Sequence, residues 1–376
     1  MDKRLEQLVV SAPGRICLFG EHQDFLGLPV VAAAIDLRIS IGGTPRSDSL
    51  LRLDMPDIRK SEEIDLAQPI VYTRKRDYLR SCINVLRRKG WDLSQGWDCT
   101  MTSKIPINAG VSSSSAMIVA WLKFLMEASV TRIEYSPDDL ARLAHEAEVL
   151  EFGEPGGMMD HFAAALGNVI YVDCRPPFKA EYLPLELEGF VLGDSLEKKQ
   201  TLGVLGDSKG DVLEGVRMLG EWYPGFDLHK TPASEVLPLV DRLPDRIQRK
   251  VRANLVNRDL TIRAMEMFKT ARLSSPQAGV DANELGDLLT RHHEQLRDGI
   301  GVSTAKIDRM LQAALEAGAL GGKINGSGGG GCMFAYAPGK EDAVAHAIEC
   351  TGGKAHIVKI DQGARIDSKR SIGVVE

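Results

Sequence analysis

Between Pro106 and Ala116 the chain reads Pro-Ile-Asn-Ala-Gly-Val-Ser-Ser-Ser-Ser-Ala and runs straight into a helix-forming stretch that ends near Ala128. A helix start presents unpaired backbone N–H groups and the positive end of its dipole, and small side chains let an anion come close. Four consecutive serines, Ser112, Ser113, Ser114 and Ser115, exceed what one helix cap needs. Asn108, Ala109, Gly110, Val111 and these serines therefore form a candidate phosphate cradle, in which one hydroxyl could also ligate Mg²⁺. The plain alternative is a serine-capped helix with no ligand. No Gly-Lys-Ser/Thr follows Gly110, so this is not a Walker A loop.

Three further stretches carry chemistry-bearing residues. Lys323 to Cys332 contains Gly326, Ser327, Gly328, Gly329, Gly330 and Gly331, a run without side-chain bulk where something must approach backbone. The apolar Cys332 to Tyr336 that follows argues for a pinned loop rather than a loose one. Gly20-Glu21-His22-Gln23-Asp24 follows the apolar Ile16 to Phe19, so its ionisable groups stand where a strand ends and a cleft can begin. Glu21, His22 and Asp24 are candidates for hydrogen-bonding a polyol; an ordinary polar loop is the alternative. Finally, Leu140, Leu143, Ala144 and Ala147 trace an apolar helical stripe with Glu148 and Glu151 both near its edge, and periodicity does not choose between them. Asp160 lies in Gly156-Gly157-Met158-Met159-Asp160-His161-Phe162, an acid among apolar residues that must be paired or functional if buried.

The 376 residues suit two domains of roughly 150–200 residues each. A boundary is expected after the strand Val169 to Val172 and Arg175-Pro176-Pro177, giving units 1–185 and 186–376. Strands are expected at Leu8 to Val10, Ile16 to Phe19, Pro29 to Ile35 and Leu37 to Ile41. Helices are expected over Arg74–Arg88, Ser112–Ala128, from Ser136-Pro137-Asp138-Asp139 onward, and around Val212–Leu219, Arg246–Phe268, Glu284–Asp298 and Thr304–Ala317. Strands followed by helices in each half give an α+β class rather than a doubly wound sheet. The basic cluster flanking Arg74–Arg88 reads as a solvated helix surface.

A net charge of −6 gives no general affinity for nucleic acid or an anionic membrane. Six scattered cysteines without Cys-x-x-Cys spacing read as buried thiols of a reducing compartment and not as a zinc site. No secretory leader or long apolar run is recognisable, so the expectation is a cytoplasmic protein with a small-molecule partner; its oligomeric state is open.

In this order and spacing, the four stretches resemble the GHMP kinases, and within them the galactokinases. Ala12-Pro13-Gly14-Arg15 with Gly20-Glu21-His22-Gln23-Asp24-Phe25 is similar to APGRVNLIGEHTDY, and Pro106 to Ala116 to PxGAGLSSSA. Ala147-Glu148 and Asp160 match the AE…GIMDQF segment; His293, Leu296, Ser303 and Asp308 fall as in its H-x-x-L…S…D region; Gly318 to Cys332 resembles GALGA(R/K)xTGxGxGGC. The likeness covers about residues 10–175 and 290–335, and leaves 195–285 unaligned.

The resemblance implies a two-domain fold: an N-terminal unit of mixed sheet and helices, a C-terminal ferredoxin-like α/β sandwich, and an active site in the cleft between them. It implies ATP and Mg²⁺ as cofactors and transfer of the γ-phosphate to a sugar hydroxyl, the anomeric one. Asp160 falls at the family's catalytic-base position and Arg15 at the residue that offsets charge beside it. Glu21, His22 and Asp24, with Asp160, fall at the sugar ligands, Ser114 and Glu148 at the Mg²⁺ ligands, and residues 108–115 around the triphosphate. Gln23, Phe25, Leu26-Gly27-Leu28, Asn108 and Met158 depart from the pattern, which opens the identity of the sugar. A mevalonate-kinase-like enzyme is the alternative, although its APGK…GEHAVVYG motif has Lys where Arg15 stands and no counterpart of Asp24. A non-catalytic sugar sensor would be expected to lose the metal ligands or the acid, and Arg15, Glu148 and Asp160 are all present.

Overall fold

The computed structural model describes residues 3–106, 110–154, 156–197, 201–274 and 279–373. The chain begins with β1 (Lys3–Phe19) and β2 (Val30–Pro45), a long antiparallel pair whose connection carries Glu21 to Asp24. The breaks expected inside both segments are absent: Ser11-Ala12-Pro13-Gly14 stays in the strand, and the pairing absorbs the proline by a register shift between Pro13 and Gly14. There follow β3 (Leu50–Met55), β4 (Lys60–Asp65), α1 (Tyr78–Arg88), β5 (Trp97–Ser103), α2 (Ser113–Ala128), α3 (Pro137–Glu148), α4 (Met159–Leu166), β6 (Val169–Asp173) and β7 (Lys179–Leu183). Helix α3 starts as its sequence predicts: Ser136 and Asp139 form a reciprocal capping box with Pro137 at the first turn. Arg74 to Arg76 stay outside α1; Arg74 and Arg76 are exposed and pair with Glu62 and Glu154.

The second half holds β8 (Phe190–Asp194), α5 (Thr201–Trp222), α6 (Ala233–Val240), α7 (Asp245–Ser274), α8 (Ala282–Glu294), α9 (Ala305–Glu316), β9 (Gly321–Asn325), β10 (Cys332–Tyr336), α10 (Glu341–Cys350), β11 (Lys354–Val358) and β12 (Arg365–Gly373). Its four-stranded sheet has the order β11-β8-β10-β9 with every pair antiparallel, the strand order of a ferredoxin-like sandwich. Strand alternation divides its side chains. Val191, Met333 and Ala335 pack with Met310 and Ile348 of α9 and α10, while Phe190, Leu192, Phe334 and Tyr336 join the core of the first sheet. Helices α5 to α7 close a separate small core that takes in Leu26 and Leu28 from the β1–β2 connection.

The first sheet runs β12-β1-β2-β5-β3-β4, with β6 on β2 and β7 on β6. Strand β12 thus returns to pair with β1, so a division after residue 185 misses that the last strand belongs to the first sheet. Arg38 fastens the return: its guanidinium donates to the Ser11 hydroxyl and carbonyl, to Asp361, and to the carbonyls of Gln362 and Gly363. Five cysteines are buried as expected, but Cys350 is exposed. Among the described residues no helix is long and apolar enough to cross a membrane.

Candidate active site

Three segments distant in sequence meet at the start of α2. The Arg15 N–H donates to Val111 O at 3.3 Å, docking the cradle on β1. From the end of β9, Asn325 donates through Nδ2 to Gly110 O at 2.8 Å and accepts at Oδ1 from the Cys17 N–H at 2.8 Å. Gly326, with φ +82°, lies so close that a Cβ on it would sit 2.6 Å from Gly110 O. Only glycine fits there. Ser112, before the first helical residue, adopts a left-handed φ of 59°, a conformation that a non-glycine residue holds only when its surroundings dictate it. Asn108 and Ala109 lie outside the described residues.

Asp160 sits in the first turn of α4, facing this junction. Arg15 Nε donates to Asp160 Oδ1 at 2.8 Å and Nη1 to Gly110 O at 2.5 Å, so one guanidinium ties the acid to the cradle. The Arg15 side chain is 5% exposed and that of Asp160 31%, which leaves the carboxylate open on its far side. Burial alone would raise its pKa, but the Arg15 charge and the Ser112 hydroxyl outweigh it and hold the group below the usual carboxylate range. Asp24 comes up beside it. Its Oδ1 accepts from the Phe25 N–H at 2.9 Å, and a Cβ on Gly157 would fall 2.1 Å from its Oδ2, so the loop before α4 lies flat against the carboxyl. Burial and the neighbouring Asp160 charge push the Asp24 pKa up to about 6. Two adjacent carboxyls are thus driven apart, one down and one up.

The choice between Glu148 and Glu151 resolves on geometry. Glu151 turns outward to Tyr72 and Arg88. Glu148 turns inward, where its Oε2 accepts from Ser115 Oγ at 2.7 Å and pairs with His161 Nε2 at 2.8 Å. Burial raises its pKa, yet His161, Ser115 and Ser114 lower it further than burial lifts it, so it is ionised at neutral pH. Ser114 is exposed on the first turn of α2. A hydroxyl and an ionised carboxylate are hard oxygen donors, which suit Mg²⁺ completed by phosphate oxygens and waters. Among the described residues no three His, Cys, Asp or Glu side chains converge into a ready-made metal cage.

Other residues singled out in the sequence fall differently. Glu21 does not present its Oε2 to the cleft: that oxygen accepts from Lys323 Nζ at 3.0 Å and from the Gly326 N–H at 2.9 Å. Lys323 is fully buried and also donates to Cys17 O at 2.8 Å, so the pair latches the end of β1 to β9. His22 is buried with φ 63°. Gly328, Gly329 and Gly330 follow Gly326 with positive φ, and the Gly329 N–H donates to Val302 O at 2.8 Å, which pins the run as expected. The Ser327 hydroxyl is buried with no hydrogen-bond partner among the described residues. His293, Ser303 and Asp308 form a brace: Asp308 Oδ1 accepts from Ser303 Oγ at 2.5 Å and lies 3.3 Å from His293 Nε2, while His293 Nδ1 accepts from the Ile324 N–H at 3.3 Å. Lys323, Asn325 and His161 went unassigned in the sequence; only the placement of Lys323 and Asn325 within a glycine motif hinted at them.

Comparisons with known proteins fit this arrangement. Residues 77–168 match the GHMP kinases N-terminal domain, residues 278–354 the GHMP kinases C-terminal domain, and residues 2–45 the galactokinase galactose-binding signature. A mevalonate kinase of Thermococcus onnurineus is 31% identical over 371 residues, spanning 96% of this chain and 98% of that protein. A galactokinase of Roseiflexus sp. is 29% identical over 332 residues, spanning 86% and 82%. The crystal structure of Lactococcus lactis galactokinase complexed with galactose superposes with a TM-score of 0.78 at 22% identity, covering 96% of this chain and 95% of that one. With its cradle, glycine-rich clasp and two-domain fold in place, the chain belongs to the GHMP kinases, a family of ATP-dependent phosphotransferases.

Proposed function

We propose that this kinase transfers the γ-phosphate of ATP to a sugar hydroxyl, the anomeric one, to give a sugar 1-phosphate and ADP. The observation that carries this reading is that the Asp24 carboxyl lies near enough to Asp160 for the two charges to interact, beside Arg15. Two carboxyls and a single guanidinium suit neutral hydroxyls and disfavour an anionic acceptor. The galactose-binding signature over residues 2–45 supports the same class.

In this reading the free N–H groups at the start of α2 and the backbone of Gly110 to Ser115 receive the triphosphate. Ser114 and Glu148 would hold Mg²⁺, which when bound neutralises charge on the phosphates. Arg15 offsets the charge that develops between the acceptor oxygen and the phosphoryl group. Asp160 orients the attacking hydroxyl and accepts its proton. Because Arg15 keeps Asp160 a weak base, the proton moves late, once the oxygen has bonded to phosphorus and become acidic. Asp24 holds a neighbouring hydroxyl, and Glu21 supports the site from behind through Lys323.

A second reading, a mevalonate-type acceptor, is favoured by the 31% identity to the Thermococcus mevalonate kinase over nearly the whole chain. ADP release measured across hexoses, heptoses, uronic acids and mevalonate separates the two. Turnover on neutral sugars supports the first; turnover on mevalonate with none on sugars replaces it with the second.

A further inference from the structure

Behind Glu148 stands a histidine that the mechanism above does not use. His161 follows Asp160 in α4, its side chain 3% exposed, with Nε2 2.8 Å from Glu148 Oε2. The Ser115 hydroxyl donates to the same oxygen at 2.7 Å. His161 Nδ1 is buried with no hydrogen-bond partner among the described residues, whereas Nε2 faces a carboxylate oxygen that can only accept, so Nε2 carries a proton and donates it. The ring itself is fixed: it meets the His145 ring edge-on, with centroids 5.4 Å apart and planes at 83°, and His145 Nε2 lies 3.4 Å from Gly156 O.

Glu148 is the last residue of α3, where the helix ends and a flexible side chain would otherwise sample several rotamers. Two donors converging on Oε2 leave Oε1 as the oxygen free to turn toward Ser114. The position is also a departure: the family segment GIMDQF has glutamine where Gly157-Met158-Met159-Asp160-His161-Phe162 has histidine. Both side chains can donate one N–H across this distance, which points to the donor rather than the ring as the property the site needs.

We propose that His161 is a positioning residue for the metal site, orienting Glu148 so that its free oxygen and the Ser114 hydroxyl form one face of the Mg²⁺ coordination shell. The proposal rests on the reading of Glu148 as a metal ligand. A partner of this kind behind a ligand fixes its direction and basicity, and its loss weakens metal binding while leaving the ligand in place.

The test is Mn²⁺ binding to the full-length chain with ADP, followed by the electron paramagnetic resonance signal of free Mn²⁺, beside thermal unfolding of each variant. His161→Leu, unable to donate, is expected to weaken Mn²⁺ binding by roughly 10- to 100-fold. His161→Gln restores a donor and is expected to bind Mn²⁺ nearly as the unaltered chain does. A folded His161→Leu protein with unchanged Mn²⁺ affinity overturns the proposal, as does a folded His161→Gln protein that has lost it. Should the leucine variant fail to fold, His161→Asn, polar but too short to reach Glu148, takes its place with the same expected loss. Glu148→Gln separates the two levels. If it leaves Mn²⁺ binding intact, the metal reading itself falls; if it abolishes binding while His161→Leu does not, only the role of His161 falls.

Discussion

A single guanidinium joins Asp160 to the segment that opens α2: Arg15 Nε is 2.8 Å from Asp160 Oδ1, and Arg15 Nη1 is 2.5 Å from Gly110 O. Asp160→Asn keeps the shape and a hydrogen bond to Arg15 but removes the charge. Turnover is expected to fall by roughly 10²–10⁴-fold, while the melting temperature falls because Arg15 loses its counter-charge but the protein stays folded. Near-normal turnover would take Asp160 out of the chemistry. Arg15→Lys retains a positive charge but cannot reach both partners, and kcat is expected to fall by about 10-fold or more.

The buried pair Glu21–Lys323 makes a different demand. Glu21→Gln leaves a fully buried ammonium without its counter-charge and is expected to cost about 3–5 kcal/mol of stability, read from denaturant unfolding. Glu21→Gln combined with Lys323→Met should recover most of that loss. If Glu21→Gln unfolds like the unaltered chain but raises the acceptor KM, then Glu21 contacts the acceptor and does not act as a latch.

Asp24 predicts opposite effects on stability and activity. Its folded pKa of about 6 exceeds the ordinary carboxyl value of about 3.9, so between those values the folded state binds more protons than the unfolded state. Stability therefore falls as pH rises through this window, and the cost is complete above about pH 6. Asp24→Asn should raise the melting temperature at pH 8, with the gain shrinking as the pH approaches 4, while weakening acceptor binding more than ATP binding. A gain that is the same at both ends of the range would show that Asp24 is not the group responsible.

Gly326→Ala tests the clasp between the glycine-rich segment and the cradle. The substitution is strained at φ +82° and would also drive a Cβ to 2.6 Å from Gly110 O. Gly90→Ala has a φ of +90° with nothing within 4 Å, so it carries the backbone strain alone. Each should lose about 1 kcal/mol or more from backbone strain, but only Gly326→Ala should also raise the KM for ATP. Equal effects on ATP would show that the contact with Gly110 does not matter.

Local signals in the sequence located much of this. The serine run gave α2, the Ser136–Asp139 box gave α3, and the motif order expected Arg15 near Asp160, which are hydrogen-bonded. What stayed hidden was long-range pairing. Glu21 reads as a ligand beside His22 and Asp24 because its partner, Lys323, lies 302 positions away. Periodicity could not separate Glu148 from Glu151, because the choice depends on Ser115 and His161 arriving from other helices. The break assigned inside β1 followed Pro13 and its neighbours, whereas pairing with β2 carried the strand through it.

The return of Arg365–Gly373 also has a cost for anyone shortening the protein. This ribbon covers one flank of β1 from Lys3 to Ser11, and without it that flank would expose a row of unpaired amides and carbonyls. A version ending at Val358 should therefore recruit a strand from a neighbouring molecule and sediment as oligomers, even though every group around Asp160 is still encoded.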